Sequence, residues 1–382
     1  MDFQLTREQQ MLKDMVRDFA EKEIAPKIPS YEEPEGDFPF EFQRRMGELG
    51  LIGLIAPKQY GGNELGHVAQ VIATEEIARV YAPFGSHTRG FMLTTYLISR
   101  YGTEEQKKKY VPRLVKGEIA GCMTLTEPTG GSDMLAIQTK AVREGSVYVV
   151  NGRKTMISRY TANDIFATTT MTGERATTTL IAEKGMPGLT LGRRDNFIGC
   201  MTRAYPCGEV IFDNVRIPVE NRIGEEGKGL GPIVSTVAAI GRIGGAAIAL
   251  GIAQSAFEVA AKYAKERHLY GKPLAELQAL RFWLAEMDLK IRAARLSLYY
   301  AAWLLDQGKS PRETAKEGCG AKYLCSKTAI DACLKTIELL GGYGTTPEFG
   351  VITQFKTALD TVNAAGSDQV MLQTISSELV GG

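Results

Sequence analysis

The hydrophobic period of this chain changes twice along its length, and that double change limits the folds open to it. Up to about residue 119 the apolar positions fall at helical spacing. Thr6 can cap a first helix, Glu8 and Gln9 lie in its opening turn, and Leu12, Met15, Val16 and Phe19 share one face. Further helices are expected at 38–50, 68–80, 88–101 and 103–116, punctuated by Gly50, Gly61-Gly62 and Gly102. Between 120 and 226 the pattern shortens to strands. Val147 to Val150 runs into Asn151-Gly152, a hairpin-turn dipeptide, with Thr155 to Ser158 as the returning strand. Ile165 to Thr172 is rich in β-branched residues, and Glu209 to Phe212 leads through Asp213-Asn214 into Val215 to Pro218. Beyond Gly229 the helical spacing returns, with helices expected over 246–267, 274–306, 311–340 and 352–379. The reading is an α+β multidomain protein: a helical domain at 1–119, a barrel-like β-domain at 120–226, and an antiparallel four-helix bundle at 227–382.

A chain of 382 residues has room for two or three such cores. Its net charge of +1 gives no general attraction to nucleic acid or to a membrane surface. No run approaches the roughly 18–20 apolar residues of a membrane span, so none is expected. The six cysteines, Cys122, Cys200, Cys207, Cys319, Cys325 and Cys333, form no CxxC pair. With three histidines, His67, His87 and His268, they suggest buried thiols in a reducing compartment rather than a metal site. The opening residues lack a basic stretch followed by an apolar one, so no signal peptide is expected. The cytoplasm is the expected location, and a mitochondrial matrix protein shorn of its transit peptide would read the same.

Four short segments carry chemistry. The first is Cys122-Met123-Thr124-Leu125-Thr126-Glu127-Pro128-Thr129-Gly130-Gly131-Ser132-Asp133, a polar loop in which glycines let the backbone come close to a ligand. The second is Asn151-Gly152-Arg153-Lys154-Thr155-Met156-Ile157-Ser158, and the third Arg267-His268-Leu269-Tyr270-Gly271 with Gln278 beyond it. The fourth is Glu338-Leu339-Leu340-Gly341-Gly342-Tyr343-Gly344. Together, and in this order, they resemble the flavin-dependent acyl-CoA dehydrogenase superfamily over essentially the whole chain. The resemblance implies bound FAD. Thr126 and nearby backbone, contributed by Met123 and Leu125, would serve the flavin edge, and Gly131 and Ser132 the pyrophosphate or thioester arm. Ser158 keeps the hydroxyl of the family's strand against the flavin, beside Ile157. Met156 stands where tryptophan is usual and keeps an apolar contact without the indole donor. Arg267, Tyr270 and Gln278 would reach the FAD of a neighbouring subunit, Arg267 through its planar fork. Glu338, Gly341 and Gly342 would lie at the adenine, with Glu338 replacing a glutamine. The implied assembly is a homotetramer, a dimer of dimers. The implied partners are an acyl-CoA or acyl-carrier-protein substrate and an electron-transfer flavoprotein.

The same resemblance exposes a gap. Family members remove the substrate α-proton with a glutamate placed before Gly-Thr or Gly-Ser, and here Ala365 precedes Gly366-Ser367-Asp368-Gln369. A minority carry the glutamate just before the arginine matching Arg242, where this chain has Gly241; Ala239 replaces an aspartate that contacts pantetheine. Gly366, Ser367 and Gln369 keep the cofactor and substrate half of the motif, with Arg242 and Ser132 on the substrate. Several readings stay open: an alanine substituted for a catalytic glutamate, a natural enzyme such as an enoyl-thioester reductase, a dehydrogenase with His87 as base, or a non-catalytic flavoprotein. A flavin monooxygenase on the same scaffold is the rival class. Arg89, on the helix that lines the acyl pocket in the family, would suit a distal substrate carboxylate.

Overall fold

A computed structural model describes residues 4–33, 36, 38–196, 198 and 204–381; Cys200 and the first three residues lie outside them. In chain order the structure has α1 (Arg7–Phe19), α2 (Ile28–Tyr31), α3 (Phe40–Glu48), α4 (Gly66–Val80), α5 (Ala82–Tyr101) and α6 (Glu104–Val115). Eight strands follow: β1 (Gly121–Thr124), β2 (Lys140–Glu144), β3 (Val147–Ser158), β4 (Ile165–Gly173), β5 (Ala176–Glu183), β6 (Leu189–Arg194), β7 (Cys207–Pro218) and β8 (Arg222–Ile223). The last third holds α7 (Leu230–Thr236), α8 (Ile243–Glu266), the small hairpin β9 (His268–Leu269) and β10 (Lys272–Pro273), then α9 (Gln278–Asp306), α10 (Ala315–Leu340), α11 (Val351–Thr361) and α12 (Asp368–Val380). The chain forms two compact units, one of residues 1–29, 67–86 and 242–382, the other of 30–66 and 87–241.

The second unit is built on one sheet in the order β6-β7-β3-β2-β4-β5-β8, with β1 parallel to β4. Side chains alternate along β4 and β5. Ile165, Ala167 and Ile181 face the α5–α6 side and meet Leu97, Ile98, Tyr110 and Leu114. Phe166, Leu180 and Ala182 face the other way and meet Tyr148 and Val150 of β3 with Val210, Phe212 and Val215 of β7. Helices α1 and α6 both start with complete capping boxes, Thr6 with Gln9 and Thr103 with Gln106.

The expected hairpin at Asn151-Gly152 is absent. β3 runs straight through it, and a register shift between Val150 and Gly152 marks a bulge. Glycine is there for room, because a Cβ would sit 2.4 Å from Thr139 Oγ1. The turn joining β2 to β3 falls at Gly145, φ +62°.

In the first unit α8, α9, α10 and α11 form the bundle. α8 is almost wholly buried and consists largely of alanine, glycine and isoleucine. Its small residues let neighbours come close: a Cβ on Gly251 would meet Glu75 O of α4 at 2.4 Å. The helical run Leu230–Glu266, 37 residues, is long and apolar enough to cross a membrane, contrary to the expectation of no such stretch; 72% of its most apolar window is buried as bundle core. The single helix expected over 352–379 is two. α11 stops at Thr361 and α12 begins at Asp368, because Ala365 and Gly366 take left-handed φ of +58° and +105° and Ser367 caps α12 by accepting the Val370 N–H.

Candidate active site

The loop after β1 is fastened from below by a buried ion pair. Lys154 Nζ, wholly buried on β3, donates to Glu127 Oε1 at 2.7 Å and to Leu125 O at 3.2 Å. Glu127 also accepts the Gln138 and Thr139 N–H groups at 2.5 and 3.0 Å. Thr126 O accepts the Thr155 N–H at 3.0 Å, which sets this loop against β3. Burial alone would raise the Glu127 carboxyl, and its hydrogen bonds hold it below the usual range instead; burial lowers Lys154.

β3 breaks its alternation here, with a register shift between Lys154 and Ile157. Met156 sits in the bulge at φ +57°, its side chain 59% exposed, and its N–H donates to Asp195 Oδ2 at 2.8 Å. Ile157 points into the core, so its backbone is what a ligand could meet. Ser158 Oγ lies 3.0 Å from Tyr205 OH. Met123 and Leu125 are partly buried and pack on the α5–α6 core, Gly131 lies against Thr126, and Ser132 is exposed. The loop after β1 and the end of β3 therefore lie against each other, joined through Lys154 and the Thr155–Thr126 backbone bond.

In the other unit, Arg267, Glu338, Gly341 and Gly342 line one cavity of about 550 Å³ with Tyr263, Leu274 and Tyr343. The third and fourth sequence segments thus meet, although some 70 residues separate them. Tyr270 and Gln278 do not line it: Tyr270 is 92% exposed in the hairpin loop and Gln278 is exposed as the first residue of α9. Ala365 lies half-buried in the turn between α11 and α12, with Gly366 and Ser367; Gln369 is exposed. That turn is held by Lys322, whose buried Nζ donates to Val362 O and to Asp368 Oδ1, both at 2.7 Å. Arg242 ends a π-helical turn, Val237–Arg242, with its buried Nε unpartnered.

His87 is fully buried among Phe38, Phe42, Phe91 and Tyr205, and its Nε2 hydrogen-bonds to Ala204 O. Burial, then the charge of Arg159, pushes its pKa well below the usual imidazole value. That lowering disfavours proton uptake by His87, which the sequence offered as one possible base. Arg89 is half-buried with its Nε unpartnered. Sequence reasoning did not single out Glu127 with Lys154, Asp195, Arg159 or Tyr205. Glu127 and Lys154 stood inside the quoted motifs, but nothing in the sequence marked them as partners.

These groups suit FAD. Thr126 and Ser158 offer hydroxyls, exposed Met156 offers a polarizable platform, and Arg267 brings a guanidinium to a cavity where Gly341 and Gly342 leave open space.

Comparison with known proteins covers the same ground. The acyl-CoA dehydrogenase N-terminal domain matches residues 6–118, the middle domain 122–215 and the C-terminal domain 227–380. The chain is 39% identical to the short-chain specific acyl-CoA dehydrogenase of Clostridium acetobutylicum, over 99% of this chain and 100% of the relative. It is 35% identical to the CarC subunit of the caffeyl-CoA reductase-Etf complex of Acetobacterium woodii, over 98% and 99%. The butyryl-CoA dehydrogenase structure from Megasphaera elsdenii superposes with a TM-score of 0.94 at 33% identity, covering both chains fully. With three domains matched and relatives aligned end to end, the chain belongs to the acyl-CoA dehydrogenase family and is a FAD-dependent oxidoreductase of CH–CH groups.

Proposed function

We propose that this enzyme interconverts an acyl-CoA thioester and its α,β-unsaturated counterpart without a protein base at the usual position, and that it works in the reducing direction. The observation that carries the first part is Ala365: the left-handed turn between α11 and α12 is intact, and its side chain cannot accept a proton. FAD, when held there, would supply the hydride acceptor and donor for the substrate β-carbon. What the protein must manage is the α-proton. In oxidation that proton is too weakly acidic to leave without a positioned base. In reduction, hydride arriving at Cβ leaves an enolate, and water is acid enough to protonate it. A methyl group at 365 removes the help of a positioned acid–base group from both directions by the same factor, because they share one transition state, so the net direction is set by the driving force that the electron partner supplies. The relationship to the caffeyl-CoA reductase subunit supports the reducing direction.

Met123, Leu125, Thr126, Gly131, Ser132, Met156, Ile157 and Ser158 hold the flavin half of the cofactor in this reading; Arg242 and Gly366 meet the substrate. Ser367 caps α12 beside them, with Gln369 in the cofactor contact. Arg267, Tyr270, Gln278, Glu338, Gly341 and Gly342 serve the FAD of an adjoining subunit in a homotetramer. Support for assembly comes from α9, where Phe282, Leu289, Leu296 and Trp303 stand exposed at seven-residue spacing. An electron-transferring flavoprotein is the electron partner, as in the Etf complex of the A. woodii relative, and the location is cytoplasmic.

The test is anaerobic. Reduced holoenzyme should be reoxidised by an enoyl-CoA, whereas the oxidised form should bleach slowly with saturated acyl-CoAs. Ala365→Glu should accelerate that bleaching by about 10²–10⁴-fold. Equal bleaching rates in the two proteins, or no reoxidation by any enoyl-CoA, would refute the assignment; rapid oxygen-dependent hydroxylation would point to the monooxygenase class.

A further inference from the structure

The Ser158 hydroxyl has one hydrogen-bond partner among the described residues, the phenol of Tyr205. Ser158 Oγ and Tyr205 OH lie 3.0 Å apart, and either oxygen can be the donor. The strand register brings them together. Ser158 stands opposite Cys207 where the end of β3 meets the start of β7, and Tyr205 lies two residues before Cys207. Both residues are held from behind. Asn163 Nδ2 donates to Ser158 O at 3.0 Å and to Arg159 O at 2.9 Å. Pro206 disfavours a helical turn at Tyr205. The Tyr205 ring meets His87 edge-on with centroids 5.1 Å apart, and Ala204 O accepts from His87 Nε2. Tyr205 is 7% exposed and Ser158 half-buried, so the phenol has little access to water.

A hydroxyl has one hydrogen to donate and two lone pairs with which to accept. One that faces flavin N5 has two different tasks. It must donate to N5 in oxidised flavin, where N5 carries no hydrogen, and accept from N5–H in reduced flavin. In the first case Ser158 Oγ can accept from Tyr205 OH. In the second the hydrogen of Ser158 needs an acceptor, and the Tyr205 oxygen is the described group in place. Without it that hydrogen would lose its partner away from bulk water, which carries a desolvation penalty. An unused lone pair is tolerated more readily. The tyrosine oxygen therefore matters more to the reduced state than to the oxidised one.

We propose that Ser158 and Tyr205 form a reversible hydroxyl relay, in which Tyr205 is the positioning residue that lets Ser158 serve flavin N5 in both redox states. Tyr205 donates to Ser158 in the oxidised holoenzyme and accepts from it in the reduced one. The proposal rests on the placement of Ser158 at the flavin in the reading above, and it concerns the flavin potential rather than the acyl substrate.

The potential of the holoenzyme is measured anaerobically by equilibration with a reference dye during reduction. Tyr205→Phe keeps the ring against His87 and removes only the oxygen. It should disfavour reduced flavin by about tenfold, which for a two-electron couple lowers the potential by about 30 mV. FAD content should be retained. In a Ser158→Ala background Tyr205→Phe should leave the potential where it is, because Tyr205 acts through Ser158. In a Ser158→Thr background, which keeps a hydroxyl, it should lower the potential again. A Tyr205→Phe potential equal to or above that of the wild type overturns the relay, as does an undiminished effect in the Ser158→Ala background. Loss of FAD from Tyr205→Phe while Ser158→Ala stays loaded assigns Tyr205 a purely structural role and also overturns it. If Ser158→Ala changes neither the potential nor the flavin absorption band, the placement of Ser158 at the flavin falls, and the relay with it.

Discussion

Replacing Lys154 by methionine isolates the ion pair beneath the cofactor loop. Lys154 and Glu127 are 0% and 5% exposed, so water cannot take over the lost contact. The variant keeps Glu127's bonds from the Gln138 and Thr139 N–H groups but leaves its charge without a cation. Breaking a buried pair from one side costs about 3–5 kcal/mol. At about 2–4 °C per kcal/mol for a body of 150–250 residues, melting should fall by about 6–20 °C at pH 7. Leu125 O loses its Lys154 donor as well, so the loop bearing Thr126 loosens and less FAD should survive gel filtration. The pH dependence separates this account from a general packing defect. In the wild type the folded Glu127 carboxyl titrates below its unfolded value, so its contribution is complete above the usual carboxylate range and is lost as pH falls through the depressed value. In the variant burial is no longer opposed by a cation, the folded value moves above the unfolded one, and stability is gained as pH falls toward it. The gap between the two melting curves should therefore narrow from pH 7 to about pH 5. A melting change under about 2 °C, or a gap that stays constant with pH, would refute the reasoning.

Two further changes probe other parts of the site. Ala365→Gly removes a left-handed penalty of about 1–2 kcal/mol and adds unfolded-chain entropy of about 0.4–1 kcal/mol, so a denaturant midpoint should show a gain of about 0–1.5 kcal/mol; a clear loss would mean the turn is not as described. Arg267 is exposed within the 550 Å³ cavity, so Arg267→Ala should leave melting of the apoprotein within about 0.5 kcal/mol and lower the FAD-to-protein ratio; undiminished FAD content would remove Arg267 from the cofactor site.

The elements read correctly from the sequence are those whose signals are local. Thr6 and Thr103 cap helices through groups three residues away, and the apolar spacing of 68–80 and 88–101 needs only neighbouring turns. The misreadings occur where a distant contact overrules a local preference. Asn151-Gly152 is a good turn in isolation, but nine β3 residues paired with β7 hold the chain extended through it, and Thr139 fills the space a side chain would need. Ala364-Ala365 is a good helix in isolation, but Gly366 and the Ser367 cap end α11 and start α12, and Lys322, some 40 residues earlier, ties both ends of the turn.

The same contrast runs through the six residues from Lys154 to Arg159. Strict strand alternation would put Lys154, Met156 and Ser158 on one face and Thr155, Ile157 and Arg159 on the other. The bulge undoes that arrangement. Lys154 and Thr155 are both buried, Met156 alone turns to solvent, and Ile157 and Arg159 go inward around half-buried Ser158. A motif can therefore identify the positions that hold a flavin, but only the fold shows that the strand turns one cation onto Glu127 and the next, five residues later, into a site with no carboxylate among the described residues.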